Sequence, residues 1–592
     1  MSSSTNSNAD MNNNIVASQS SQFISIVPEN GEQFNPQQKI IYNIEPEIGY
    51  IKKDSYLVFD VLNNSATPMY YTFQGNAGIH AIIDDVNIYA KETGVLLESI
   101  QNYNQLASIL TEYKYDDHTP QIVKSGLCKK NWTKDYVLNA AGAAPQIHSV
   151  VPTHDNLEDC MLSPMSDDTT NAPKFYTRRF MLHLNSGLLG AYTSSADEKI
   201  IPIVNFGGLR IEINLASANR ALELLQGHVS IPGIPDNAPT NVVPLSNNPR
   251  ALGVGAGANA VPGWRVCSDN AGGVAAIAAG ANSIFIDLRD LNATAVFDTS
   301  EIGIGLGQQI EFWNYTNPAA PVRIGNQALT ISGSTPIGNP SVVNGRNRYV
   351  GFSLNLSAAT NDILNAGGAV NTRLLLATAT PSYRVMKSEF RLLQVVPPPQ
   401  IAASLMKGVN YEFTSYETFL DNIPATTLRH QIPLNSIASK ALCVLTHIFD
   451  SQAIDDVRIA NPYFHALTPQ ETLNNSIVFF INNRLYPLRA YDPSTKSDYV
   501  LTINECVKAL NAMGLNPQKL GNNERNNLEG YTNSFLIARE LSRNGFVFDL
   551  RNAEPEIRLG FSGSRNNVLR ANSFVFSKKI VQTTANGVQL IN

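Results

Sequence analysis

Charge, paired cysteines and long apolar runs are all scarce in this chain, and each scarcity removes a class of protein. Only 16% of its residues are charged, against about 25% in an ordinary soluble domain. The formal net charge is −6, and no Lys or Arg precedes Lys39. The basic excess of a protein built to grip nucleic acid is therefore missing. Five cysteines (Cys128, Cys160, Cys267, Cys443 and Cys506) are widely spaced, with no C-x-x-C pair. That removes zinc ribbons and thioredoxin-type motifs and fits a reducing compartment. No apolar run reaches the ~18 residues of a membrane helix. The first residues lack the basic-then-apolar order of a secretory signal, so a sequon such as Asn131-Trp132-Thr133 has no secretory context.

Motifs that carry chemistry are scarce too. There is no H-E-x-x-H, no G-x-x-x-x-G-K-[ST] and no G-x-S-x-G. "GIGLG" (303–307) lacks dinucleotide spacing and stands before a strand, so it reads as a bend. His148, His154, Asp155, Glu158, Asp159 and Cys160 are a loose group of ligand types that match no zinc spacing; a solvated loop is the expectation. His447, within "VLTHIF", reads as a core or interface histidine. Arg558, Arg565, Arg570, Lys578 and Lys579 are dispersed along strands and turns, as on a solvated face. Catalytic, cofactor-binding and metal sites are accordingly expected to be none, and the chain is expected not to be an enzyme.

One pair of acids tests that expectation. Asp84 and Asp85 are adjacent in "AIIDDVNIYA", where Val86, Ile88 and Ala90 alternate with Asn87, Tyr89 and Lys91. Period-2 patterning means a strand, whose neighbours point to opposite faces. The two carboxyl groups should then diverge, unless a bulge turns one of them. Asp84, on the apolar parity, should meet a donor, because an unpaired buried carboxylate is costly.

What the chain does have is β patterning throughout. Its 592 residues, 43% of them hydrophobic, suffice for several cores, and Gly and Pro are spread along it as many turns require. Residues 1–22 are Ser/Asn-rich and should form a flexible arm. Strands are expected at 22–27, 38–44, 56–62 and 81–90, then a helix in "LLESIQNYNQLASILTEY" after the turn at Thr93-Gly94. "FYTRRFMLHLN" and "IPIVNFGGLRIEINLA" return to strand, the latter with the cleanest alternation in the chain (Leu209, Ile211, Ile213, Leu215). Residues 217–380 turn Ala/Gly-rich and then strand-like, as an insertion with its own small β core. "YRVMKSEFRLLQVV" resumes the main pattern, with Met386, Phe390, Leu392 and Val396 expected on one face. "PPP" (397–399) reads as a stiff spacer and a boundary. The remainder repeats the style in "YEFTSYETFL", "KALCVLTHIF", "SIVFFINNRLYPL", "FVFDL" and "NSFVFSKKIVQTT", closing with a hairpin at Asn586-Gly587. The fold class expected is all-β: two tandem eight-stranded jelly rolls, with a β-rich insertion in the first. The expected domains are an arm at 1–22, a first roll at 23–396 interrupted by 217–380, and a second roll at 397–592.

Four stretches carry a family likeness: "GIHAIIDDVNIYAKETGVLLESIQNYNQL", "IPIVNFGGLRIEINLASANRAL", "YRVMKSEFRLLQVVPPP" and "NNVLRANSFVFSKKIVQTTANGVQLIN". In this order the chain resembles the double jelly-roll major capsid proteins of tailless icosahedral viruses, of the polinton-like virus, adintovirus and virophage type. The resemblance implies a virion protein that forms pseudo-hexameric homotrimers and tiles an icosahedral shell. Its implied partners are copies of itself, penton proteins and other minor capsid proteins, with no sequence-specific nucleic acid and no cofactor. Membrane contact is left open. It also implies a scaffold role for Asp84 and Asp85, and a tower on the outer face for the insertion. The arm, without basic residues, is expected to serve protein contacts rather than the genome. Two other readings stand beside this one. A carbohydrate-binding or carbohydrate-cleaving β-sandwich would need paired acids and exposed aromatics in a cleft, and the three tryptophans (Trp132, Trp264, Trp313) are far apart in sequence. A minor spike protein would account for the insertion but not for two rolls.

Overall fold

A computed structural model describes residues 20–65, 71–73, 75–114, 177–189, 200–224, 381–405, 408–451, 469–482, 484–515, 535–542, 548–565, 568–584 and 587–591, and strands within 132–162 and 253–376. The strands of the first unit are β1 (Ser20–Ile26), β2 (Lys39–Ile44), β3 (Tyr50–Asn63), β4 (Ile83–Ala90) and β5 (Leu96–Ile100). Helix α1 (Tyr103–Lys114) follows, then β6 (Thr177–Leu182) and β7 (Leu209–Leu215). Next come β8 (Trp264–Cys267), β9 (Ser283–Asp287), β10 (Gln309–Asn314), β11 (Val322–Ile337), β12 (Gly351–Leu356) and β13 (Thr372–Leu376). The first unit resumes with β14 (Tyr383–Val396), and α2 (Pro399–Leu405) leads out of it.

The second unit holds β15 (Asn410–Ile423), β16 (Arg429–Pro433), β17 (Ala441–Asp450), β18 (Asn474–Ile481) and β19 (Arg484–Tyr491). Helix α3 (Lys496–Ala512) precedes β20 (Ile537–Glu540), β21 (Glu556–Phe561), β22 (Leu569–Thr584) and β23 (Gly587–Ile591).

Strand order defines the architecture. The first unit is built on two main antiparallel sheets, whose paths run β1-β14-β3-β6 and β2-β7-β4-β5. Counted along the chain, these are strands 1-8-3-6 and 2-7-4-5. The second unit has β15-β22-β17-β20 and β16-β21-β18-β19, the same permutation. Two four-stranded sheets linked in this order are a jelly roll, so the chain is two jelly rolls in tandem. In each, a helix follows the fifth strand. One continuous buried core runs through both units. Between β7 and β14, strands β8 to β13 close into a barrel in the order β8-β9-β12-β11-β10-β13.

Several local expectations move. Leu96–Ile100 is strand and not helix: Val86 pairs with Ile100, and α1 begins only at Tyr103. Leu97 and Ile100, three apart, carry a helical spacing rather than an alternating one, so the sequence left the strand hidden. The triple proline does not form a spacer throughout. Pro399 opens α2, and the Pro398 carbonyl accepts from Ala402 N at 3.0 Å; proline suits a first helical turn, where its missing N–H is not needed. Ser20, Ser21 and Gln22, expected in the arm, pair with Val396, Val395 and Gln394.

Residues 218–224 stay with the first roll, since Leu222–Leu224 pair with Phe73–Tyr71. The neck of the insertion is clasped there. Tyr383 Oη donates to the Ala216 carbonyl at 2.6 Å, and Ser382 exchanges hydrogen bonds with Ser65. Along β14 the register shifts twice, between Met386 and Glu389 and between Arg391 and Leu393. Bulges of this kind turn the strand, so Val395 is buried while Val396 is exposed and Met386 half-buried. Of "FVFDL", the described residues Phe548, Asp549 and Leu550 contribute one bridge, Phe548 to Ala441.

Candidate functional site

The acids of "IDDV" have structural partners. Asn214 pairs with Asp85 but Leu215 pairs with Ile83, which makes Asp84 the extra residue of a bulge. The bulge brings Asp84 Oδ1 within 3.3 Å of Arg220 Nη1. Burial raises the Asp84 pKa, opposed by Arg220 and reinforced by the charge of Asp85. Asp85 Oδ1 accepts from Asn102 N at 3.1 Å, where the chain (φ 52° at Asn102) turns into α1.

The basic residues near the C-terminus are mostly engaged. Arg558 pairs with Glu556 and lies 3.6 Å over the Phe480 ring; Lys578 reaches Glu412 at 2.9 Å. Arg565 donates to the carbonyls of Pro424 and Thr427, and Arg570 donates to Asn422. Cys443 and Cys506 are buried thiols; Cys506 Sγ donates to the Leu536 carbonyl at 3.4 Å, and burial pushes the Cys443 thiol well up. His447 is buried beside Phe449. The side chains of His148, His154, Asp155, Glu158, Asp159, Cys160, Cys128 and Cys267, and the "GIGLG" stretch, lie outside the described residues. Among the described residues no three His, Cys, Asp or Glu side chains come together as a metal site, and no helix is long and apolar enough to cross a membrane.

The concentration of buried polar groups lies instead at the seam between the rolls. Its first-roll side is β5, α1 and the turn after β6; its second-roll side is β15 and β22. Glu98, a lone acid in the apolar "LLESI", is 1% exposed. The turn at 186–188 holds its carboxyl. Ser186 Oγ donates at 2.5 Å, Gly187 N at 3.0 Å and Leu188 N at 3.1 Å. Burial raises the Glu98 pKa, against the lowering effect of these donors. Tyr103 on α1 steadies the same turn: its hydroxyl accepts from Asn185 N at 3.0 Å and meets His80 Nδ1 at 2.9 Å.

Across the seam, Ser415 on β15 lies against the Glu98 carboxyl and adds to the hydrogen bonding that opposes the effect of burial on its pKa. Tyr411 Oη donates to the Leu188 carbonyl at 3.2 Å, and its ring meets Phe206 edge-on at 6.0 Å. Thr418 Oγ1 donates to the Gln101 carbonyl at 3.2 Å, and Asn572 Nδ2 donates to Gln105 Oε1. Gly187 sits so close to β15 that a Cβ there would lie 1.6 Å from the Thr414 carbonyl oxygen. On β22 every residue from Ala571 to Ser577 is buried, polar and apolar alike. That pattern means both faces of the strand are covered. Nothing in the sequence reading singled out Glu98, Gly187 or Ser415. An acid inside an apolar strand was the available signal, whereas the juxtaposition of residues 98, 187 and 415 is purely tertiary.

The same two surfaces recur in exposed form at the other ends of the chain. The first and eighth strands of the first roll, β1 and β14, present Phe23 and Val396, 57% and 48% exposed. The fifth strand of the second roll and its following helix, β19 and α3, present Leu485, Val500 and Leu501, at 40%, 61% and 39%. Phe23 packs edge-on to Tyr56 at 5.9 Å, and Tyr56 to His183 at 5.6 Å, an aromatic row across the outer sheet face.

No protein-family model and no curated protein matches the chain. Solved structures similar to it include PBCV-1 VP54 fitted into a cryo-EM reconstruction of the virophage Sputnik, at 8% identity, 98% of each chain and a TM-score of 0.43. Another is the Faustovirus major capsid protein, at 8% identity, 96% of this chain and 91% of that one, TM-score 0.42. The mavirus major capsid protein is similar at 10% identity, over 96% of this chain and 89% of that one, TM-score 0.32. The double jelly-roll assignment rests on the strand order of this chain.

Proposed function

We propose that this protein is the tile-forming structural subunit of an icosahedral viral shell, acting as a homotrimer in the virion, with neighbouring trimers and minor capsid proteins as partners. The observation that carries the reading is the half-used seam. Within the chain, the fifth strand and following helix of roll one bury onto the first and eighth strands of roll two. Roll two carries an equivalent fifth strand and helix with apolar side chains left in solvent, and roll one carries equivalent first and eighth strands in the same condition. One copy therefore ends where another begins, a heterologous contact, which closes into a ring when its rotation is a whole fraction of a turn. Three copies of two rolls close a six-roll ring, whose outline is hexagonal although its symmetry is three-fold. Exposed apolar patches of this kind mark association surfaces, and an obligate contact of this type buries upwards of ~2,000 Å². The barrel between β7 and β14 is then an appendage on the tile. The test is the native mass of the purified full chain with negative-stain imaging. Three times 64.5 kDa and hexagonal tiles are expected; a stable monomer at micromolar concentration overturns the reading.

A further inference from the structure

We propose that Arg565 is the centre of a docking site at one end of the second roll, whose occupant is a peptide segment of another protein that presents a carboxylate between apolar side chains. The inference concerns the loops of a single roll and does not depend on the shell-forming role.

Three segments meet at this end: the 424–429 turn between β15 and β16, residues 472–476 entering β18, and 561–570 between β21 and β22. Pairing and hydrogen bonds hold them together. Asn474 pairs with Phe561, and Ile423 with Leu569. Phe561 N donates to the Leu428 carbonyl, Ser562 N to the Leu473 carbonyl and Arg565 N to the Ala425 carbonyl, each at 2.9 Å. The Arg565 guanidinium lies 3.7 Å over the Phe561 ring. Residues directly opposite in an antiparallel ladder share a face, so Asn474 stands beside Phe561.

Two side chains here are buried with polar atoms left over. Arg565 is 9% exposed, and its Nη2 donates to the carbonyls of Pro424 at 2.8 Å and Thr427 at 3.4 Å. Both acceptors are neutral. Its Nε and Nη1 are buried without a partner, and among the described residues no acid acts on it. Burial lowers its pKa, as for a cation without a countercharge. Asn474 is 1% exposed, and neither its amide oxygen nor its amide nitrogen is bonded. Buried charges are ordinarily paired and buried amides ordinarily satisfied. Two exceptions beside one phenylalanine point to a partner that supplies what is missing. A carboxylate accepts from the guanidinium and from Asn474 Nδ2, and a peptide N–H donates to Asn474 Oδ1.

Charge and surface favour a peptide over a free ion. The three segments contain Arg429, Arg565 and Arg570 and no Asp or Glu, so the end of the roll attracts an acid. Around it Leu428, Leu473 and Val568 are 53%, 38% and 38% exposed, a rim that a small anion would leave wet. Leu473 also has a φ of 58°, a left-handed conformation that leucine seldom takes. Strain of this kind gathers at ligand clamps. Here it turns Leu473 to solvent while Asn474 stays inside.

The test is isothermal titration calorimetry of the full chain with the peptide acetyl-Leu-Asp-Leu-amide and its neutral counterpart acetyl-Leu-Asn-Leu-amide. Saturable binding of the acidic peptide is expected. It should weaken by about tenfold or more, the loss of one charge-assisted hydrogen bond, for the neutral peptide and for Arg565→Gln. Leu428→Asp changes an exposed rim residue, should leave circular dichroism and melting unchanged, and should weaken binding as much. That variant decides the matter should Arg565→Gln fail to fold. Equal binding of the two peptides, undiminished binding by Leu428→Asp, or no saturable binding overturns the proposal. Sodium acetate that competes as well as unlabelled peptide shows a simple anion pocket and overturns docking. A fall in native mass for Arg565→Gln identifies the occupant as a second copy of this chain, and the reading of a foreign partner fails.

Discussion

Gly187→Ala is the smallest change that should separate the two rolls. The new Cβ would stand 1.6 Å from the Thr414 carbonyl oxygen and 2.7 Å from its carbon, where separations under 3.0 Å essentially never occur. About 1.4 Å of movement is required, and neither side yields easily. Thr414 sits in β15, paired with β22 along the whole length from Asn410–Gln582 to Ile423–Leu569. Residue 187 sits in the turn whose amides hold the buried Glu98 carboxyl. Either the seam opens, exposing Tyr411 and Phe413, or the turn shifts and Glu98 loses donors. Overpacking of a tight site costs about 1–3 kcal/mol, and stranding a buried acceptor costs about 1–3 kcal/mol more. A loss of roughly 2–6 kcal/mol is expected where both apply, reaching into the tail of single-residue effects. Urea unfolding supplies the magnitude, and limited proteolysis near residues 397–409 reports whether the rolls have parted. Gly49→Ala is the control: its φ of 79° strains any side chain, but a Cβ there meets nothing within 4 Å. If Gly187→Ala lies within about 1 kcal/mol of wild type and the linker stays protected, the seam is not the rigid joint described.

Three further outcomes are expected. Arg220→Ala removes the group that holds the Asp84 pKa down, so the penalty for its ionised form grows; urea unfolding should reveal a loss of about 1–3 kcal/mol at pH 8 that shrinks towards pH 5, and a pH-independent loss contradicts this. Phe23→Asp and Val500→Asp replace exposed side chains and should change unfolding of the isolated chain by under about 0.5 kcal/mol, while light scattering falls from trimer to monomer; a trimer unaffected by both discards the proposed repeat of the seam. Replacing 225–381 by a short linker should leave a folded two-roll body by circular dichroism and calorimetry, because Tyr383, Ala216, Ser382 and Ser65 already hold the neck and closure entropy grows slowly with length; persistent aggregation would assign the barrel to the core.

Much of the fold was legible because strand periodicity is local. Leu209–Leu215 alternates in sequence, and its burial follows except at Glu212, which is buried too, and the second roll's strands fall where β-branched and aromatic runs predict. The misses share a cause, which is information held by distant residues. Leu97 and Ile100 are spaced as in a helix, and only the distant pairing with Val86 makes the segment a strand. The faces of β14 depend on two bulges that no alternation encodes. Asp84 was expected to find a donor, and that donor, Arg220, lies 136 positions away on a segment assigned to the insertion. The seam was the least legible feature, since Glu98, Gly187 and Ser415 acquire meaning only once two rolls meet.

The eighth strand of each roll also sets the timetable of synthesis. β1 finds its partner only when β14 has been made, with Ser20 opposite Val396, and β15 waits for β22 in the same way, with Asn410 opposite Gln582. At about 5–20 residues per second, the N-terminal strand spends roughly 20–75 s on the ribosome with its edge unpaired. By then the whole barrel sequence has emerged and has its local pairings in hand. Pairing across such separations is slow and leaves strand edges open to neighbouring nascent chains. The order of eight strands in each roll thus makes the yield of this protein sensitive to translation speed and to holding chaperones.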